Sequence, residues 1–291
     1  MAHNIDQLLE NSIRRFGGTR AKRLAVQPYK SLFPLYLRRT NKLRNITTNT
    51  FWGGQFSGVL PEAVSTQIWR SGYFSPEVCR SLIAFLKPGM QFVDIGAHFG
   101  YFSLLAAHLV GDSGKVLSVE AMPSTFQHLQ NNIHKHANSG NVILHQGAAF
   151  NEVRDLSFKD YGIVASSLNT AFSNRGNSKL IQEPKNVTVK AQKADTILSD
   201  NNIQKPELIK IDAESSEKFV LEGLSETLQR YKPKIVLEIG DDETDGVAES
   251  AIINDFLEGF GYRAHEWKGA NLLPFKFTGK ITYTNLVYLP T

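Results

Sequence analysis

The stretch Phe92-Val93-Asp94-Ile95-Gly96-Ala97-His98-Phe99-Gly100 decides the fold. Its first four residues form a short apolar run broken by one acid. The glycines after it let the backbone turn tightly before an apolar segment with helical spacing begins. A buried strand that feeds a glycine turn and then a helix belongs to an open α/β sheet. Such sheets bind ligands outside the carboxyl ends of their strands, where Asp94 and this turn lie.

Outward from that stretch, strands and helices alternate. The pattern predicts strand 91 to 95, helix 99 to 110, strand 115 to 120, helix 123 to 136 and strand 141 to 146, a βαβαβ order. Strand-like 153 to 158 and 187 to 189 then flank a polar loop with Ser166, Ser167 and Asn169, an insertion expected over the ligand edge. Alternation resumes with strand 207 to 211, helix 216 to 230, strand 234 to 239 and helix 249 to 259, and two strands near 262 to 266 and 282 to 289 close the chain. The sum is a seven-stranded mixed sheet whose last two strands form an antiparallel hairpin. Upstream, Ser75 and Pro76 start a helix as cap and first residue, and Gly53, Gly54, Gly58 and Pro61 mark a turn-rich hinge.

The chain has 291 residues, 42% hydrophobic and 21% charged, enough for one large domain plus an extension. Cys79 is the single cysteine, so a disulfide framework and a thiolate metal cluster are excluded, and a reducing compartment is expected. Asp6, Glu10, Arg14 and Arg15 interrupt the N-terminus before a signal-peptide core forms, and Ser103 and His108 break the run from Tyr101 to Val110. These features predict a cytoplasmic protein without membrane insertion.

Residues 1 to 50 carry ten basic side chains against Asp6 and Glu10, a net +8, which leaves −4 for the remainder of a +4 chain. We divide the chain there, into a basic, helical extension at 1–50 and a domain at 51–291. Such an arm suits nucleic acid, an anionic membrane surface, an acidic patch on its own body or on a second subunit, or plain solvation. Its sparse aromatic interleaving disfavours nucleic acid, and dimerisation through the arm is one expectation.

A pyrophosphate-binding turn reads G-x-G-x-x-G, whereas Gly96 and Gly100 are four apart and the strand ends on Asp94. Two like charges about 4 Å apart repel by roughly 4 kcal/mol at an effective dielectric of 20, so Asp94 there would oppose a dinucleotide phosphate. The second strand ends in Val119-Glu120, and a carboxylate at that edge can accept both ribose hydroxyls of an adenosine. Together Asp94 and Glu120 suit S-adenosylmethionine, which has a ribose and a cationic sulfur but no phosphate. Met122 and Phe126 would flank the adenine, with Gly147 and Ala148 presenting backbone groups to its edge. The fourth strand delivers Asp212 and Glu214 to the same side, and the fifth delivers Glu238. These acids would orient or deprotonate an acceptor hydroxyl. No histidine or asparagine accompanies them at a recognisable metal-ligand spacing, so no metal is expected. His98, inside the turn, would shape the loop and contact the cofactor.

The segments VDIGAHFGYFSLLAA (93 to 107), VEAMPSTF (119 to 126), LIKIDAESSE (208 to 217) and TYTNLVYLP (282 to 290) resemble the FkbM family of methyltransferases from about residue 50 onward. The resemblance implies a class I, Rossmann-like methyltransferase fold, S-adenosylmethionine as donor, and commonly O-methylation of sugars or polyketide-type natural products. Carried over by position, it assigns Asp94, Gly96, Gly100 and Glu120 to the donor, and Asp212 with Glu214 to the acceptor side. Two positions depart from it: His98 replaces a common Asn, and Ser215-Ser216 replaces Gly-Ala. The full expectation adds Ala97, His98, Tyr101, Ala121, Met122, Gly147 and Ala148 at the donor, Glu238 among the catalytic acids, and Tyr73, Phe74, Ser166 and Ser167 around a small hydroxyl-bearing acceptor.

Overall fold

A computed structural model describes residues 2–137, 140–168, 184–241 and 249–291. The chain starts with helices α1 (Ala2–Phe16), α2 (Arg20–Val26) and α3 (Pro28–Thr40), followed by the antiparallel hairpin β1 (Arg44–Asn49) and β2 (Gln55–Leu60). Helices α4 (Ala63–Ser71) and α5 (Pro76–Phe85) lead into β3 (Gln91–Ile95), α6 (Tyr101–Val110), β4 (Lys115–Glu120), α7 (Pro123–His136) and β5 (Val142–Gln146). Next come β6 (Ala148–Phe150), β7 (Arg154–Asp160), a 3-10 turn at Ile163–Leu168, β8 (Lys185–Lys193) and α8 (Ala194–Asp200). The last third comprises β9 (Leu208–Ile211), α9 (Glu217–Gly223), α10 (Ser225–Tyr231), β10 (Lys234–Ile239), α11 (Ser250–Gly259), β11 (Tyr262–Lys268), β12 (Asn271–Pro274) and β13 (Thr284–Pro290).

The main sheet runs β12-β11-β13-β10-β9-β3-β4-β5. Strands β10, β9, β3, β4 and β5 are parallel neighbours, and β13 is inserted antiparallel between β10 and β11. This is the class I methyltransferase arrangement expected from the sequence, with one correction: the sheet has eight strands, not seven. Residues 271–274, two apolar residues between Asn and Pro, give no alternation to read, and they fold back antiparallel onto β11. The central strands are buried on both faces because helices cover both, which is why β9 is almost continuously apolar. Phe92 packs into one cluster with α5 and α6, while Val93 and Ile95 pack into the other with α8, α9 and α11.

The expected helix 216 to 230 is two helices, because Leu224 leaves helical geometry at φ −97° and ψ 8°. Ser75 precedes α5 as expected but makes no side-chain capping bond, since its own backbone is left-handed at φ 37°. The insertion forms a small sheet, β6-β8-β7, on the ligand side of the main sheet.

The division expected at residue 50 falls at the turn of the β1–β2 hairpin. Ile5 and Leu9 of α1 are buried in the cluster that holds Leu82 and Phe92, and Glu10 forms an ion pair with Arg80. Lys30 donates to the Trp69 carbonyl at 2.5 Å. Among the described residues, no helix is long and apolar enough to cross a membrane.

Candidate functional site

The turn after β3 is built by backbone that bulky residues avoid. Gly96 has φ 75°, and a Cβ there would stand 1.8 Å from the Asp212 carbonyl oxygen, so glycine is what lets β3 and β9 end side by side. His98 is also left-handed, at φ 51°. Asn, Asp and His tolerate this region best among residues with a Cβ, which explains how His stands where family members often have Asn. Ser215, where the family pattern has Gly, is likewise left-handed at φ 79°.

A cavity of about 310 Å³ opens beside the turn. That volume is near the lower end for small-molecule sites. Of the expected donor residues, Gly96, Ala97, His98, Tyr101, Glu120, Ala121, Met122, Gly147 and Ala148 line it. On the acceptor side, Asp212, Glu214, Glu238, Phe74 and Ser166 line it too.

Glu120 is at the carboxyl end of β4, 7% exposed. Its carboxylate accepts hydrogen bonds from the backbone N–H of His98 and of Met122, each at 2.9 Å. Burial pushes its pKa up to about 7, against those two amides, which favour the charged form. Glu217, at the start of α9, is also raised to about 7 by burial, while it accepts from the Ala213 and Ser215 amides and holds the loop after β9.

For both acids the native state keeps a proton that the unfolded chain has released, so each contributes stability below about pH 4.5 that is lost as pH rises to about 7. Glu217→Gln keeps an acceptor and removes the titration. Its urea midpoint is therefore expected to gain on wild type steadily from pH 4.5 to pH 7 and to run parallel above that. A constant difference across this range would mean that Glu217 is ionised in the folded protein throughout.

The cavity leaves out four of the expected residues, Asp94, Gly100, Tyr73 and Phe126. Asp94 is fully buried and does not line the cavity. It lies directly opposite Lys210 in the β3–β9 register, accepts from Ser103 Oγ at 2.7 Å, and has the Lys210 ammonium 3.4 Å from Oδ1. An acid flanked by a cation and a hydroxyl inside the sheet neither attracts a sulfonium nor repels a phosphate, so the charge argument made for it fails. Gly100 also lies behind the cavity wall, under the Leu129 side chain. Tyr73 is buried in the core with Phe51 and Ile68. Phe126 is not a lining residue. The side chain of Ser167 and all of Asn169 lie outside the described residues.

Lys210 is a charged residue of the site that sequence reasoning missed. It is 2% exposed, lines the cavity, donates to the Gly96 carbonyl at 2.8 Å, and approaches Asp212 Oδ2 at 3.3 Å. Burial opposes its charge, but Asp212, Asp94 and Glu238 together outweigh burial and raise its pKa. The cation between the strand-end acids is thus an ammonium from the chain itself. Glu238, hydrogen-bonded to Asp212, is pushed well above the carboxylate range, chiefly by the Asp212 charge and then by burial. It therefore holds a proton toward Asp212 at neutral pH. Alternation along β9 places Lys210 and Asp212 on one face, which is the signal that would have found Lys210.

His98 is half-buried, and desolvation lowers its pKa. It pairs with Ser166 Oγ at 2.8 Å and ties the glycine turn to the 3-10 turn. Phe150 and Leu156 with Phe158, from the small sheet, add an apolar wall that periodicity did not single out.

Residues 94–264 match the family described as the methyltransferase FkbM domain. "Methyltransferase 1" of Beauveria bassiana is 25% identical over 200 residues, which is 65% of this chain and 80% of that protein. A crystal structure of methyltransferase FkbM from Methylobacillus flagellatus aligns over 99% of this chain with a TM-score of 0.46 and 14% identity, and this chain covers 59% of that one. Fibrillarin of Aeropyrum pernix, solved with natively bound S-adenosyl-L-methionine, aligns over 70% of this chain and 67% of its own, with a TM-score of 0.40 and 10% identity. The family match spans more than half of the chain and begins at the acid of the glycine turn, and the chain belongs to the FkbM methyltransferase family.

Proposed function

We propose that the chain transfers a methyl group from S-adenosylmethionine to a hydroxyl of a small molecule, of the sugar or polyketide type. The observation that carries this reading is one cavity with Glu120 at one end and the hydrogen-bonded acids Asp212 and Glu238 at the other. Among its described lining residues, Lys210 is the only lysine or arginine, and it is committed to Asp94, Asp212 and the Gly96 carbonyl. A phosphate would find no uncommitted lysine or arginine among these residues, whereas a donor without phosphate needs none.

Glu120 would accept the ribose hydroxyls, Met122 would pack against the adenine, and the backbone at Gly147 and Ala148 would meet the base edge. Bound S-adenosylmethionine supplies an electrophilic methyl carbon on a sulfonium. Asp212, held by Lys210 and by the Glu238 proton, would accept a hydrogen bond from the acceptor hydroxyl, fix its approach, and take its proton as the methyl passes from sulfur to oxygen and S-adenosylhomocysteine is released. Alignment of this kind supplies roughly 7 to 11 kcal/mol of barrier reduction, against about 10²- to 10⁴-fold for proton removal, so positioning is the larger contribution. Phe74, Phe150 and Phe158 keep water from the reacting groups.

Calorimetric titration with S-adenosylhomocysteine, with NADH in parallel, tests the reading. Glu120→Ala is expected to weaken S-adenosylhomocysteine by roughly ten- to a hundredfold, the worth of charged hydrogen bonds. Ribose hydroxyls select the ionised form of an acid whose pKa is near 7. Wild-type affinity should therefore tighten by about tenfold from pH 6 to pH 8. Preference for NADH, or no binding of either, would sink the proposal.

A further inference from the structure

Helix α3 is apolar on two faces. Its inward face is filled by Pro34 and Leu37, both buried. Its outward face carries Leu32, Leu35 and Tyr36, each more than half exposed, at spacings that place them side by side. Tyr29, one turn before Leu32, is 63% exposed, and Leu24 and Val26 of the preceding helix α2 are 40 and 45% exposed. Scattered exposed apolar residues need no explanation, but a run of them on adjacent helices marks a surface that is covered in use.

The charges around the run say what covers it. Lys22, Arg38, Arg39, Lys42 and Arg44 are all exposed, and Arg39 lies one turn beyond Leu35 and Tyr36 on the same face. The acids of this region are Asp6 and Glu10, and Glu10 is committed to Arg80. A two-fold dimer through this face would set the patch against its own copy and bring like charges together. A nucleic acid would match the basic residues but leave Leu24, Val26, Leu32 and Leu35 with nothing apolar to enter. A bilayer bearing anionic headgroups satisfies both: the leucines enter the acyl boundary while the basic side chains meet the headgroups.

We infer that α2 and α3 dock the protein on an anionic lipid surface, lying in the interface without crossing it. The docking is independent of the reaction, so the test reads lipid binding and not turnover. The full chain is floated with vesicles of phosphatidylcholine alone, and of phosphatidylcholine mixed with phosphatidylserine. It is expected to follow the mixed vesicles at least about tenfold more tightly than the neutral ones, and less so at high salt. Leu32→Ser with Leu35→Ser should reduce that binding by about tenfold, and Arg39→Glu with Lys42→Glu should abolish the preference for anionic lipid. These four positions are exposed, so the melting temperature and the S-adenosylhomocysteine affinity of both double variants should match wild type. No flotation with either vesicle overturns the inference. So does light scattering that shows a dimer dissolved by the leucine variant without vesicle binding, or RNA binding that outcompetes vesicles and ignores the leucines.

Discussion

Lys210→Met is expected to cost about 3 to 5 kcal/mol of folding stability at neutral pH, the magnitude found when one partner of a buried ion pair is removed. The ammonium is 3.4 Å from Asp94 and 3.3 Å from Asp212. Asp94 is fully buried, with one serine hydroxyl as its remaining partner, itself bonded onward to Ser118. Methionine fills the volume but leaves that carboxylate charged in an apolar sheet. Adding Asp94→Asn should recover a large part of the deficit, because both charges then leave together. In wild type the contribution of Lys210, whose pKa is raised, is complete below about 10.5 and is lost only above it. Urea unfolding of the two single variants and the double variant at pH 8 measures the deficit and its recovery. A Lys210→Met protein within about 1 kcal/mol of wild type at pH 8 would show that Asp94 does not depend on the ammonium.

The same residue marks the limit of what the sequence discloses. Phe92 to Gly100 and Val119-Glu120 were legible because strand, turn and helix follow one another within a few residues, and a glycine with positive φ leaves a local signature. β4, α7 and β10 have the bounds the pattern predicts. Lys210 was not legible as a site residue because its partner Asp94 is 116 positions away, brought opposite only by the β3–β9 register. Position alone assigns Asp94 to the ligand edge, although strand alternation puts it on the face toward α6, where Ser103 waits. Being near a strand end says which edge a side chain is close to, and parity says which face it takes. The Asp212–Glu238 contact and the strand at 271–274 are likewise products of pairing between distant segments. On α3, the outward leucines broke no local rule, since a helix apolar on both faces reads simply as a helix.

Asp212→Asn carries the largest expected effect on turnover, a fall in kcat of about 10²- to 10⁴-fold. Donor affinity should change little, because Glu120 is at the other end of the cavity. Asparagine keeps the size of the side chain but presents a neutral, half-donor group where the proposed acceptor hydroxyl would need an anionic partner. Glu238 separates charge from proton. Its raised pKa means that it donates to Asp212 through neutral pH, and that this hydrogen bond is lost as pH rises through the folded value. Two carboxylates then face each other, and Lys210 must hold both. Wild-type kcat should therefore decline on the alkaline side. Glu238→Gln, which donates at every pH, should keep a rate near wild type and extend the plateau, while Glu238→Ala should lower kcat at all pH values. Profiles on the hydroxyl compound that turns over fastest in an acceptor screen would decide. If Asp212→Asn stays within about threefold of wild type, the acid does not position the acceptor. If Glu238→Gln and wild type share one alkaline limb, the proton between the two acids has no part in the rate.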